Sequence, residues 1–233
     1  MNGGKTPEPQ IFSTAVNNFH YLYQDAGYLH GIATKPEMEP TFEKTQLSRT
    51  AIVLYIVSLE ALINRAMEAF VSSPLREFFL EREQRFELKD KWRLLPLLAG
   101  GSVSFDEGKY PWSHFKELVD LRNDYLHPKH ARMAYLKIAG PLQVVPLDWN
   151  EIPEGFPATE TDIVYRQTRI PRDPYSVRPV HVDAVKKVVD DTVKELDRLL
   201  GGKVTEDWLH QDQLKLIWPP GAQLNPPSVP GPR

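Results

Sequence analysis

Ala51-Ile52-Val53-Leu54-Tyr55-Ile56-Val57 is apolar on nearly every side of a helix, and its reading decides the fold. It sits inside a longer pattern, from about residue 41 to 71, that reads as one helix with Pro74 just beyond its end. A helix that is apolar all round is buried on most sides, so this one is expected at the centre of a bundle. The apolar run from Ala51 to Leu59 is about half of what a bilayer-spanning helix needs, so no membrane segment is expected.

Working outward, Ile11, Ala15, Phe19, Leu22, Ala26, Leu29 and Ala33 recur at steps of three and four and predict a first helix over 11–33. Shorter helices are expected over 74–86 and 89–99, the latter limited by Pro96 and stopped at Gly100-Gly101. After a loop over 102–109, a helix runs from about Pro111 to Leu126. It must end at His127, because a residue before proline avoids the helical region and Pro128 follows. Val182, Val185, Val189, Val193, Leu196 and Leu200 mark the face of a last helix, stopped by Gly201-Gly202.

Between these last two helices, residues 132–178 differ in texture. Val144-Val145 and Ile163-Val164-Tyr165 suggest short strands, with a long loop around Asp148 to Ala158. The expected fold is therefore mostly α, an up-and-down helical bundle with a small β-like insertion before the last helix. Its domain would span 11–218, between a flexible N-terminus over 1–10 and a tail over 219–233. That tail carries six prolines in fifteen residues and is expected to be disordered or extended. No internal repeat is visible.

The 233 residues, 41% hydrophobic and 25% charged, are ordinary for a globular chain. A net charge of −3 and a pI near 6.2 advertise no tight duplex-DNA binder, yet leave room for an enzyme that holds RNA briefly. With no cysteine, a disulfide scaffold, a thiolate zinc site and a cysteine nucleophile are excluded. Met1-Asn2-Gly3-Gly4-Lys5 leads into no apolar core of a signal peptide. A soluble, cytoplasmic protein is expected.

The chemistry concentrates in Arg122-Asn123-Asp124-Tyr125-Leu126-His127. Arginine brings a permanent planar charge that matches phosphate oxygens, and histidine exchanges protons near neutral pH. Arg122 interrupts the apolar stripe Trp112, Phe115, Val119 and Leu126, just as Glu60 interrupts Val53, Ile56, Ile63 and Met67. An unpaired buried charge costs several kcal/mol, so these two are expected to face each other, or to find partners at a subunit interface. Asn123 and His127 share a flank of the helix. If the helix tightens or unwinds at Pro128, Arg122 and His127 would converge on one pocket. His114, His127 and His130, with Lys116, Lys129 and Arg132, make the neighbourhood basic.

Plainer readings stand beside these. Arg122 serves equally as a helix-tying ion pair, Glu60 reads as structural, and His127 reads as a cation complementing a helix C-terminus. His127 and His130 lack the carboxylates that would complete a metal site, so no metal is expected. There is no Gly-rich phosphate loop and no Gly-x-Ser-x-Gly elbow. Asp190-Asp191 and the charges from Glu81 to Glu87 read as solvated faces. Tyr21, Tyr23 and Tyr28 read as packing or dimer contacts.

The motif and its setting resemble the HEPN superfamily, whose members carry an R-x(4–6)-H signature on a late helix of a four- or five-helix bundle. Arg122, Asn123 and His127 match that spacing and the polar residue after the arginine. Tyr55 to Ile63, with Glu60, resembles the family's long buried helix, and Lys91 to Leu98 with Gly100-Gly101 the segment before the motif helix. The resemblance covers roughly 41–127 and 179–201. It implies a metal-independent endoribonuclease acting as a homodimer, with RNA as substrate, no cofactor, and a setting in toxin–antitoxin or phage-defence systems. His127 would be the general base or acid, Arg122 would stabilise the phosphorane, and Asn123 would orient His127 or bind phosphate. Glu60, Asp124 and His130 would support the site. A cognate antitoxin or a nucleotidyltransferase would be a partner. Family members without shown catalysis imply the alternatives, a dimerisation or interaction module and a nucleotide- or RNA-binding protein.

Overall fold

Tyr55, Leu59, Leu62 and Ile63, all buried, lie on the central helix and organise the molecule around it. The computed structural model describes residues 12–15, 18–36, 42–72, 74–75, 86–127, 135–138, 143–146, 150, 152, 154, 160–204 and 213–216. In chain order these form β1 (Phe12–Ala15), α1 (Asn18–Ala33), α2 (Phe42–Phe70), α3 (Leu88–Leu98), α4 (Trp112–Leu126), β2 (Tyr135–Ile138), β3 (Gln143–Pro146), α5 (Glu160–Ile163), α6 (Pro179–Leu199) and β4 (Gln213–Leu216). The protein is mostly helical, a bundle in which α1, α3, α4 and α6 all pack on α2.

The periodicity of α2 explains this. Ser48, Ala51, Ile52, Tyr55, Ile56, Leu59, Leu62, Ile63 and Ala66 are buried, while Val53, Leu54 and Val57 on the remaining sides are half-buried. α2 is long and apolar enough to cross a bilayer, and half of its most apolar window is packed inside the bundle. Trp92 from α3, Phe105 from the following loop, and Trp112 and Phe115 from α4 stack into one aromatic cluster, with ring centroids 4.8–6.0 Å apart. Each such ring contributes on the order of 2–3 kcal/mol by burial, so the cluster fixes α4 firmly against α3.

α3 ends as expected. Gly100 adopts φ +90°, and the Gly101 amide donates to the Pro96 carbonyl at 2.9 Å. A side chain at Gly101 would place its Cβ 2.7 Å from that oxygen, so only glycine fits the close approach.

Several expectations need correction or fall outside the described residues. The first helix begins at Asn18, not residue 11, because Phe12–Ala15 pairs antiparallel with Gln213–Leu216 instead. That pairing joins segments about two hundred residues apart, which local periodicity cannot register. Apart from Pro74 and Leu75, the expected 74–86 helix lies outside the described residues up to Phe86. Ile163-Val164-Tyr165 is not a strand: Ile163 ends α5 and Val164 makes a single bridge to Pro171. Leu126 is 52% exposed, whereas the rest of the expected α4 stripe, Trp112, Phe115 and Val119, is buried together with Leu118, Leu121 and Tyr125. In the expected β-like insertion, Tyr135–Ile138 pairs with Gln143–Pro146. The rest of 128–159 is outside the described residues save isolated positions, as are residues 1–10 and the tail over 219–233.

Candidate functional site

The last turns of α4 carry every motif residue that the structure describes. α4 ends at Leu126, and His127 takes φ −125°, ψ 70°, with its amide still donating to the Asn123 carbonyl at 2.8 Å. The helix thus stops where the following proline requires.

Arg122 Nη1 donates to Glu60 Oε2 in an ion pair that ties α4 to α2. The expected facing of the two charges is therefore present. It lies at the edge of the core rather than inside it, for the side chains are 18% and 40% exposed. Asn123 Oδ1 accepts from Arg122 Nε and Nη2 at 3.3 and 3.1 Å. The Asn123 side chain therefore holds the guanidinium, and among the described residues that side chain makes no bond to His127. A guanidinium has five N–H groups in a rigid fork. Three are engaged among the described residues, so the fork is fixed in orientation.

His127 is exposed, and among the described residues no side-chain hydrogen bond or ion pair joins it to Arg122. Five helical positions turn by roughly 140°, which separates them around the axis. Convergence of the two on one pocket within a single chain is thus not observed: Arg122 turns to α2 and His127 projects from the helix end. His130 lies outside the described residues.

Asp124 has a different employment. Tyr165 Oη donates to Asp124 Oδ2 at 2.5 Å, Arg172 Nη1 lies 3.7 Å from the same oxygen, and the Arg172 guanidinium sits 4.3 Å above the Tyr165 ring. Burial, then the bond to Asp124, pushes the Tyr165 phenol well above its ordinary range. Next to it, buried Tyr125 donates from Oη to the Pro171 carbonyl at 2.6 Å. Two turns earlier, Glu117 accepts from the Gln167 amide at 2.9 and 3.0 Å and from the Thr168 amide at 2.9 Å. One face of α4 therefore clamps the 165–172 loop, and Arg169 within that loop is held at φ +63°.

Sequence reasoning did not single out Glu117 or Arg172, and read Tyr165 as strand. The available signal was weak: Glu117, Asp124 and Tyr125 fall on one helix face at spacings of seven and eight, which marks a face but names no partner. Among the described residues no group of three or more histidines, aspartates or glutamates could hold a metal ion.

Comparison with protein-family models, with curated proteins and with solved structures finds no match to this chain.

Proposed function

We propose that this chain is a metal-independent endoribonuclease that acts as a homodimer, with Arg122 and His127 as the reacting pair. The observation that carries the reading is the fixed guanidinium of Arg122, held from two sides by Glu60 and Asn123 and placed five residues before an exposed histidine at the end of the same helix. Such preorganisation is what charge stabilisation in a transition state needs, because the donor pays no reorganisation when charge develops.

In this chemistry His127 removes the proton from a ribose 2′-OH, and the oxygen attacks the adjacent phosphorus. The bond from phosphorus to the 5′-oxygen breaks, that oxygen leaves with a proton, and the ends are a 2′,3′-cyclic phosphate and a 5′-hydroxyl. DNA lacks the nucleophile and would resist. Because Arg122 and His127 diverge around α4, a second copy would complete the site: the arginine of one protomer would work with the histidine of the other, or both pairs would line one cleft. The HEPN resemblance supports this arrangement and the setting of a cytoplasmic toxin or phage-defence effector with a cognate antitoxin or nucleotidyltransferase.

A second reading, a HEPN-like interaction module without catalysis, is favoured by a specific observation. Arg122 and Asp124 are both engaged in bonds that hold the bundle together. Incubating RNA with the protein in EDTA, and with the His127→Ala variant, separates the two readings. Cyclic-phosphate ends that disappear in the variant support the enzyme; intact RNA from both proteins supports the module.

A further inference from the structure

Phe42, the first residue of α2, stacks on Tyr175 in the segment leading to α6, with ring centroids 5.9 Å apart and planes 13° from parallel. Two turns along α2, the Arg49 guanidinium lies 5.2 Å from the Tyr175 ring centroid. Large aromatic rings are ordinarily drawn into a core, yet Phe42 is 60% and Tyr175 49% exposed.

The ladder is held in place from below. Ser176 Oγ donates to Asp173 Oδ2 at 2.7 Å, both residues are buried, and the adjoining Pro171 carbonyl is bonded to Tyr125. The ladder is tied to α4 through the same segment, since the Pro171 carbonyl, four residues before Tyr175, accepts from Tyr125 Oη, three residues from Arg122.

We propose that Phe42, Tyr175 and Arg49 form a stacking platform for a nucleobase of single-stranded RNA, on the segment that α4 holds. This rests on the ribonuclease reading of Arg122 and His127. Every base presents a π-face, so an exposed ring takes bases with little regard to sequence, and an adjacent arginine adds attraction to the phosphate and to the ring. The charge complementarity selects the occupant: the pair is flanked by a guanidinium, which suits a polyanion better than an apolar protein surface.

The test is binding of two labelled oligomers of equal length, an oligoadenylate and an abasic ribose-phosphate chain, in EDTA, followed by fluorescence anisotropy. The full chain carries His127→Ala so that nothing is cut. Phe42→Ala and Tyr175→Ala should each weaken oligoadenylate binding by about fivefold to a hundredfold. Phe42→Leu should lose as much, although it stays apolar, and Phe42→Trp should keep the affinity. The abasic chain should bind weakly and alike to all variants. Unchanged affinity in Phe42→Ala and Tyr175→Ala overturns the platform, as does an abasic chain bound as tightly as oligoadenylate, or no binding by the parent protein. Cleavage by the wild-type chain is measured in parallel. Base-dependent binding without cleavage overturns the ribonuclease reading alone, whereas cleavage with KM unchanged in Phe42→Ala overturns the platform alone.

Discussion

The Arg122 guanidinium and the Glu60 carboxylate meet at the edge of the core, joining the motif helix α4 to the central helix α2. A pair so placed is neither a surface contact worth almost nothing nor a fully desolvated one. A double-mutant cycle with Arg122→Ala and Glu60→Ala should return a coupling of about 0.5–1.5 kcal/mol in urea melts. Additive losses would mean that the pair does not hold the helices.

Glu117 is the second hold on the same helix. Glu117→Gln replaces an acceptor that takes the amides of Gln167 and Thr168 by a weaker, neutral one. Hydrogen exchange at those two amides should quicken by a factor matching about 1 kcal/mol, with little change in the exchange of α2. Equal exchange in both proteins would remove Glu117 from the account of the loop.

On α1, burial and then the bond to Asp190 raise the Tyr23 phenol from an ordinary 10 to about 12. A group whose folded pKa is raised contributes stability that is fully present below its unfolded pKa and is lost as pH rises through the folded one. Stability should therefore fall between pH 10 and 12. In Tyr23→Phe it should fall less steeply, starting from a lower value because Asp190 loses its donor. Parallel slopes for the two proteins would contradict the assignment.

Asp191 behaves in the opposite sense. The bond from Lys187, then that from Tyr110 at 2.5 Å, holds its carboxyl down at about 2. A depressed carboxylate contributes stability above its unfolded pKa, near 3.8, and loses it as pH falls toward 2. Asp191→Asn should flatten the acid limb of the stability curve over that window, read by thermal melts at stepped pH. An unchanged acid limb would contradict it.

The elements with strong helical period were legible in the sequence. α2 and α6 announce themselves through apolar spacing, and the ends of α3 and α4 through Gly100-Gly101 and Pro128. The facing of Glu60 and Arg122 was legible as well, because a charge inside an apolar stripe demands a partner. What escaped was non-local. The pairing of Phe12–Ala15 with Gln213–Leu216 has no local signature. The clamp on the 165–172 loop is made by residues whose partners lie some forty to fifty positions away. The stacking of Phe42 on Tyr175 joins a helix start to a loop that periodicity does not describe. Asn123 was expected to orient His127 or bind a phosphate; its side chain accepts two bonds from Arg122, its neighbour in sequence.

The most direct test of the central claim is cleavage of single-stranded and structured RNA in EDTA by the wild-type chain and by His127→Ala. His127 lies exposed at a helix end, so its loss should leave the melting temperature nearly unchanged. The account predicts cleavage by the wild type with 2′,3′-cyclic phosphate ends, and loss of at least about a hundredfold in rate in the variant. Equal cleavage by both proteins, or none by either, would contradict it.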